Sequence, residues 1–250
     1  MTDTQFPAAE PDTSDGPGGA GGAVHAERIS TAAIADASLR IGVLARLAPV
    51  ALRPVVPGHV IHGPAAPVTH LGSVDVLLET IDDAPAGAVM VIDNGGRLDE
   101  ACIGDLMVLE AERAGLAAMV VWGLHRDSAQ LVEIGLPVYS LGRSPFGPRR
   151  VPPAGRRMAS AFLDGIDVTA EDHVFADDDG VLVVPGDRVD ELVEVALEIQ
   201  RVEHAQAERM RRGESLRSQL AFTSYRERQA SNPDYSLRQH LREHGGAIEV

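Results

Sequence analysis

The sequence predicts an α/β fold built around one strand–helix–strand unit at residues 88–127. Two continuous apolar runs, residues 88–92 and 117–122, have the length and valine content of buried parallel strands. The segment between them has helical spacing, begins near Gly104 and stops at Gly115, a residue type that commonly follows a helix. A right-handed crossover brings the carboxyl ends of both strands and the helix N-terminus to one edge of the sheet.

Most polar residues of this unit are predicted to collect at that edge. They are Asn94-Gly95-Gly96, the helix start at Gly104 and Asp105, and the loop at residues 123–127. Free amides at a helix N-terminus bind anions, a guanidinium pairs with carboxylate or carbonyl oxygens, and a carboxylate holds a hard divalent cation. The unit therefore predicts a site for a small, metal-bound ligand that carries a carboxylate. The glycines after Asn94 lack the GxGxxG pattern, so a dinucleotide site is poorly supported.

The segments on either side of this unit predict the other elements. Helices are predicted at residues 30–47, 74–81 and 128–134 and from Arg188 onward, and strands at residues 55–61 and 136–140 and in short pieces within 161–184. The acidic run at residues 177–180 lacks the spacing of a calcium loop, so a hairpin turn is the better interpretation.

Three regions are predicted along the chain. Residues 1–26 are Gly-rich and nearly free of large apolar groups, which is typical of a disordered tail. Residues 27–202 form the main domain, and residues 203–250 a helical extension whose aromatic side chains predict docking on another surface, such as a neighbouring subunit. The loop at residues 143–157, with four prolines and five arginines, is either a solvated connector or a lid or subunit-contact loop near the acidic site.

The composition excludes several classes of function. A formal net charge of -15 argues against a nucleic-acid-binding surface, which relies on clustered basic residues, but is compatible with a basic protein partner. The chain contains no lysine, because all 22 basic residues are arginines. Schiff-base aldolases, pyridoxal-phosphate enzymes and Walker A phosphate loops all require that amine and are excluded. Carbon–carbon cleavage next to a carbonyl would then need a metal ion or hydrogen-bond donors to stabilise the enolate.

Cysteine usage and the apolar runs predict the cellular compartment. Cys102 is the single cysteine, so no intrachain disulfide can form. The first residues do not have the pattern of a signal peptide, and no run approaches 18 apolar residues. We therefore expect a cytoplasmic protein that is not bound to a membrane.

The spacing of the polar residues at the predicted edge is itself a motif. Gly104 precedes Asp105, twenty residues separate Asp105 from Arg126 and Asp127, and Gly123 stands three residues before the arginine. In this spacing the chain resembles the RraA-like family, which contains the metal-dependent 4-hydroxy-4-methyl-2-oxoglutarate/4-carboxy-4-hydroxy-2-oxoadipate aldolases and the regulator of ribonuclease activity A. The likeness extends over residues 29–199, and it includes the segments at residues 30–37, 57–65, 136–139 and 176–185.

The resemblance implies a fold, a cofactor and roles for residues. It implies a swivelling β/β/α-type domain with a long C-terminal helix, a ring-shaped homotrimer or hexamer, and sites near the subunit contacts. Asp127 would bind Mg²⁺ or Mn²⁺, and Arg126 would contact the keto and carboxylate oxygens of a 2-oxo acid. The family's substrate-binding segment corresponds to Gly104, Asp105, Leu106 and Met107, whose amides would hold the pyruvyl carboxylate. Asp105 is a helix N-cap, the group that positions a water for proton transfer, or both, since the two roles are compatible.

Three histidines near the first strand, His125 and the cysteine are further candidates for a site. The spacing of His59, His62 and His70 matches no standard zinc site, and strand-edge or surface positions are the better interpretation. His125 stands beside the arginine, where it either shifts the pH dependence of the site or faces solvent. Cys102 has no recognisable histidine partner and is expected to be a small packed residue.

The leading functional hypothesis is a lyase that cleaves a 4-hydroxy-2-oxo acid to pyruvate and a second oxo acid, with oxaloacetate decarboxylation as a side activity. The main alternative is a non-catalytic regulator that binds a ribonuclease or another protein, because fold alone does not choose between the two classes. A third hypothesis is an enzyme for a different 2-oxo or hydroxy acid.

Overall fold

The structure is a computed structural model, and it describes residues 28–149, 156–157 and 160–244. The strands are β1 Arg46–Leu47, β2 Arg53–Pro54, β3 Ile61–Thr69, β4 Val89–Ile103, β5 Ala118–His125, β6 Val138–Arg143, β7 Arg156–Arg157, β8 Ala161–Leu163, β9 Ile166–Val168, β10 Asp172–Ala176 and β11 Val181–Pro185. The helices are α1 Thr31–Ile41, α2 Asp75–Asp83, α3 Asp105–Arg113, α4 Ser128–Ile134, α5 Val189–Arg211, α6 Leu216–Gln219, α7 Phe222–Ser231 and α8 Leu237–His244.

Most of these strands lie in one mixed sheet. Within the described residues its order is β1–β11–β10–β3–β4–β5–β6–β2, with β7 beside β3, while β8 and β9 form a separate hairpin. Strands β3, β4, β5 and β6 are mutually parallel, and α3 connects β4 to β5. The predicted strand–helix–strand unit is therefore confirmed, and Gly115, with φ +80°, follows α3 as expected.

The parallel strands are apolar on both faces, which explains their continuous hydrophobic runs. Met90 and Ile92 pack with residues of α2, α3 and α4 on one face, whereas Val89 and Val91 pack with the β8–β9 hairpin on the other. Side chains alternate along a strand, so consecutive apolar residues bury two different surfaces.

The antiparallel side of the sheet is covered by two helices. Phe175 and Val184 pack with Ile34 of α1 and with Leu192 and Ile199 of α5. The predicted hairpin turn at residues 177–180 joins β10 to β11 and is confirmed by their antiparallel pairing. This layer lies on the opposite side of the sheet order from β5 and β6, so it is structural support rather than part of the polar edge.

Two predicted elements were wrong in their bounds. The helix predicted at residues 30–47 ends at Ile41, because Gly42 adopts the left-handed conformation (φ 68°) that closes a helix. The strand predicted at residues 55–61 begins only at Ile61 and runs to Thr69, although prolines at 64 and 67 weaken its local strand signal. Pairing with β4 and with β10 imposes the extended conformation there.

The C-terminal part is helical, and α5 runs without a break from residue 189 to residue 211. Beyond it, Tyr225, Tyr235 and His240 pack against one another, and His240 Nε2 lies 3.0 Å from the carbonyl oxygen of Leu220. Docking of this extension on a neighbouring subunit stays a prediction. The predicted tail at residues 1–26 lies outside the described residues. In the described part of the chain, no helix is both long and apolar enough to cross a membrane.

Candidate functional site

The predicted site residues meet where β4 and β5 end and α3 and α4 begin. The Arg126 amide donates a hydrogen bond to the carbonyl oxygen of Ile103 at 3.0 Å, which ties the end of β5 to the end of β4. This bond places Arg126 and Asp127 beside Gly104 and Asp105 at the start of α3. The structure thus brings the two halves of the motif together, although twenty residues separate them in sequence.

Asp127 has a strained backbone that turns its carboxylate toward α3. Its φ of 58° and ψ of 40° lie in the left-handed region, which is uncommon for a residue with a side chain. It stands at the N-cap position of α4, yet its side chain makes no cap hydrogen bond there. The Asp127 carboxylate instead lies 3.2 Å from Arg126 Nε and accepts a long hydrogen bond, 3.4 Å, from the amide of Asp105. With 34% of its side chain exposed, it remains open to a ligand.

Gly104 is required at this junction for space rather than for backbone conformation. Its φ is -144°, which any residue adopts. A Cβ at this position would overlap Asp127 Oδ2 and lie 2.9 Å from Arg126 Nε. Close approach of the two motif halves therefore depends on the missing side chain.

The other residues of the predicted substrate-binding segment differ in exposure and in the hydrogen bonds that they make. Asp105 is not the N-cap, as one interpretation had it, because Gly104 occupies that position and Asp105 is the first helical residue. Its Oδ1 accepts a 2.8 Å hydrogen bond from the amide of Leu106. The Leu106 side chain is 77% exposed, whereas Met107 is buried in the core, so only its backbone can face a ligand. The amides of Asp105 and Leu106 are thus engaged by the protein's own carboxylates.

The loop that contains Gly147 lies against Arg126, a contact that the sequence did not predict. Gly147 sits so close to Arg126 that a Cβ there would be 2.6 Å from Nη1. Glu100, a buried carboxylate on the irregular end of β4, accepts a 3.1 Å hydrogen bond from the amide of Arg149 and pairs with Arg97. The one sequence signal was the predicted lid or contact loop at residues 143–157, whose described part does border the site.

A buried polar pair lies further along the same edge. His70 Nδ1 and Asn94 Oδ1 are 2.8 Å apart, while His70 Nε2 and Asn94 Nδ2 have no hydrogen-bond partner among the described residues. His70 directly follows β3 and is only 3% exposed, so of the two predicted positions, strand edge or surface, the surface one is excluded. Burial lowers the pKa of His70, which favours the neutral ring. Asn94 also packs on Gly123, where a Cβ would lie 2.8 Å from Nδ2.

His125 and Cys102 are both buried. His125 lies between two hydroxyl groups, with Nδ1 2.7 Å from Ser140 Oγ and Nε2 2.9 Å from Ser128 Oγ, so it does not face solvent. Burial lowers its pKa, and the charge of Arg143 lowers it further. Cys102 is packed in the hydrophobic core, as expected, and this burial raises the pKa of its thiol to about 12, which disfavours the reactive thiolate.

A cavity of about 410 Å³ lies behind the site, between β2, β6 and α4. Its lining includes Arg53, His125, Ser128 and Arg143, but neither Arg126 nor Asp127. In the described residues, no group of three or more histidine, cysteine or carboxylate side chains is arranged to hold a metal.

Comparison with known protein families identifies the family to which this fold belongs. The model of the RraA-like family, described as aldolase/RraA, matches residues 31–183. The chain belongs to the RraA-like family. The match spans the whole motif and runs from the start of α1 into β11, and the predicted family and fold are thereby confirmed.

Curated relatives of this RraA-like protein carry different names. Protein DlpA of Legionella pneumophila is 32% identical over 70% of this chain, which spans only 29% of the length of that relative. A protein of Alkalilimnicola ehrlichii, named provisionally as a 4-hydroxy-4-methyl-2-oxoglutarate aldolase, is 33% identical over 49% of this chain and 75% of its own length. A Bacillus cereus protein with the same provisional name is 32% identical over 49% of this chain and 76% of its own length.

Solved structures show the same fold. An uncharacterized protein from Pseudomonas syringae superposes with a TM-score of 0.67 at 28% identity, covering 76% of this chain and 92% of that one. RraAS2 of Streptomyces coelicolor, described as an unusual member of the RNase ES inhibitor RraA protein family, has a TM-score of 0.65 at 25% identity and covers 73% of this chain and 94% of its own. The family thus includes relatives named for aldolase activity and relatives named for ribonuclease inhibition.

Proposed function

We propose that this RraA-like protein is a divalent-metal-dependent lyase that cleaves a 4-hydroxy-2-oxo acid to pyruvate and a second oxo acid. Substrates of the 4-hydroxy-4-methyl-2-oxoglutarate or 4-carboxy-4-hydroxy-2-oxoadipate type fit the proposal, with oxaloacetate decarboxylation as a side activity. The observation that carries it is the convergence of Arg126 and Asp127 on the start of α3, in a space that Gly104 keeps open. The provisional aldolase names of two relatives support it.

Each residue at the junction has a role that its chemistry supports. Arg126 presents a half-exposed guanidinium whose Nη atoms can bind the keto oxygen and stabilise the charge that develops on it as an enolate forms. Asp105 lies at the same junction with Oδ2 free of hydrogen bonds in the described residues, where it can position the water that moves the proton of the substrate hydroxyl. The backbone amides of the segment from Gly104 to Met107 can bind the pyruvyl carboxylate once the amides of Asp105 and Leu106 leave the carboxylates of Asp127 and Asp105.

The residues present fit a magnesium or manganese ion. Mg²⁺ is commonly held by one or two carboxylates together with water and substrate oxygens, and Asp127 offers one partly exposed carboxylate with no capping role. A bound ion would supply Lewis-acid polarisation of the keto and carboxylate oxygens. Binding would also compete with the long contact between Asp127 and the Asp105 amide, leaving that amide for the substrate.

The test is pyruvate release from 4-carboxy-4-hydroxy-2-oxoadipate and from oxaloacetate, with Mg²⁺ or Mn²⁺ and with EDTA. We expect release that requires metal in the wild type and is lost in Asp127→Ala. A Ser30→Ala variant, which alters only the cap of the distant helix α1, is the matched control and should keep its activity. No release from either acid by folded, metal-replete protein would refute the assignment.

A second candidate function is regulation of a ribonuclease or another protein. The similarity to a member of the RNase ES inhibitor family and the net charge of -15, which suits a basic partner, favour it. A pull-down with a purified ribonuclease distinguishes the two candidates, since the regulator should bind with or without Asp127.

We also propose a homotrimer or a hexamer. Leu98, Leu106 and Phe162 are large apolar residues that are at least 50% exposed near the carboxyl edge, and a subunit contact would bury them. Light scattering of the purified protein measures the assembly, and a monomer would contradict this part of the proposal.

A further inference from the structure

We infer that the loop at residues 144–149, named here the arginine strap, positions Arg126 for catalysis, and that Gly147 and Glu100 are its positioning residues. The inference rests on the proposed lyase function and assigns a role to residues outside the Gly104–Asp127 motif. It is carried by contacts of the strap with β4, β5 and the guanidinium.

The strap is fastened on both sides of Gly147. Before it, the Ser144 amide donates to the carbonyl oxygen of His125 at 2.9 Å, and the Phe146 carbonyl accepts from the Ala101 amide at 2.7 Å. After it, the Arg149 amide donates to Glu100 Oε2 at 3.1 Å. Three hydrogen bonds within six residues hold the backbone in one place, so Gly147 is a fixed surface rather than a free loop tip.

Arg126 lies between this surface and Gly104. A Cβ at Gly147 would be 2.6 Å from Nη1, and a Cβ at Gly104 would be 2.9 Å from Nε. Gly147 does not have a positive φ, so its backbone accepts any residue and only the contact with Arg126 requires glycine. The guanidinium pairs with Asp127 through Nε, and the two glycines fix the direction in which its Nη atoms point.

Glu100 holds the far end of the strap from inside the protein. Its side chain is 4% exposed, and it pairs with Arg97 through one oxygen and with the Arg149 amide through the other. A buried carboxylate with two engaged oxygens cannot turn away without leaving charges unpaired. The Arg149 guanidinium adds a contact 4.5 Å over the Phe146 ring, which stiffens the strap itself.

The experiment compares two alanine substitutions that create the same overlap against different partners. In Gly147→Ala the new Cβ meets the flexible end of Arg126 at 2.6 Å, whereas in Gly186→Ala it meets the rigid carbonyl oxygen of Glu171 at the same distance. We expect Gly147→Ala to keep its melting temperature and to lose about 10- to 100-fold in kcat for pyruvate release, with KM changed less than about threefold. Gly186→Ala should lose stability and keep kcat. An unchanged kcat in Gly147→Ala would overturn the inference.

A double-mutant cycle shows whether the strap acts through Arg126. Gly147→Ala should have no further effect in an Arg126→Gln background, since the group that it displaces is gone. Full additivity of the two losses would contradict the inference. Glu100→Gln, which keeps an acceptor for the Arg149 amide, should retain more kcat than Glu100→Ala, and equal losses at equal folded fraction would also count against it.

One readout does not depend on activity. The Nε–H resonance of Arg126 in ¹⁵N-arginine-labelled protein, assigned by its absence in Arg126→Gln, should shift in Gly147→Ala and stay in place in Gly186→Ala. If the wild type releases no pyruvate but the resonance shifts, the lyase proposal fails while the positioning contact stands. An unshifted resonance refutes the positioning role, whatever the activity.

Discussion

Asp177 and Asp127 are two aspartates at turns that follow strands, and their surroundings differ sharply. Asp177, at the end of β10, is 7% exposed and accepts hydrogen bonds from the Thr31 amide and hydroxyl, each at 2.7 Å, and from the Asp179 amide at 3.0 Å. Asp127, at the end of β5, has only the 3.2 Å contact with Arg126 and the 3.4 Å bond from Asp105 among the residues that the structure describes. A saturated carboxylate fastens α1 to the sheet, whereas a loosely held one is available for a ligand.

The largest effect should come from filling the space beside Asp127. In Gly104→Ala the Cβ overlaps Asp127 Oδ2 and crowds Arg126, so both groups must leave their positions. We expect kcat/KM for pyruvate release to fall about 10²- to 10³-fold, roughly 3–4 kcal/mol of transition-state stabilisation. The melting temperature should change little, because the displaced atoms are the ends of side chains. Steady-state kinetics with calorimetry check both, and wild-type activity would contradict the site.

An intermediate effect should separate the two aspartates by stability. Asp177→Asn places an amide NH₂ against groups that need an acceptor, which should lower the free energy of unfolding by about 2 kcal/mol without changing kcat. Its matched control, Asp127→Asn, should change the free energy of unfolding by less than about 1 kcal/mol, because exposed ion pairs contribute little. Urea titrations measure both, and equal stability losses would remove the distinction.

The smallest expected effect is a change of stability with pH, and it arises in the antiparallel part of the sheet. Burial and, to a smaller extent, the charge of the neighbouring His62 lower the pKa of His173 to about 4. Between pH 6.5 and 4 the unfolded chain therefore binds a proton that the folded chain does not, so stability present above pH 6.5 is lost as the pH falls. We expect a loss of about 1 kcal/mol by pH 5 after allowance for partial exposure. His173→Gln should reduce this slope in thermal melts, and an unchanged slope would assign it to other groups.

The parts of the fold that could be predicted from sequence are those specified by local signals. Valine-rich runs gave β4 and β5, and Gly115 marked the end of α3. Strand β3 could not be placed correctly, because its extended conformation comes from pairing with β4 and β10 while prolines obscure its pattern. The burial of His70 could not be predicted for a similar reason, since it depends on Asn94 and on elements distant in sequence.

The residues of the candidate site likewise fall into those that local sequence signals predicted and those that they did not. Its motif residues were predicted because they stand at the ends of elements whose type is locally encoded. Gly147 and Glu100 do not stand at the end of a predicted element. A glycine with an ordinary φ and a glutamate in an acidic chain have nothing in the sequence that distinguishes them. Only the folded chain shows that one touches Arg126 and the other holds the loop that does so.

The sequence by itself determined the α/β class, the position of the strand–helix–strand unit, the residues of the polar edge and the exclusion of lysine chemistry. These follow from periodicity, from turn residues and from the presence or absence of a functional group, all of which are local. The tertiary structure alone decided which carboxylate is saturated and which is open, and which glycines make room for side chains. Those properties depend on distances between segments far apart in sequence, and such distances are set by packing.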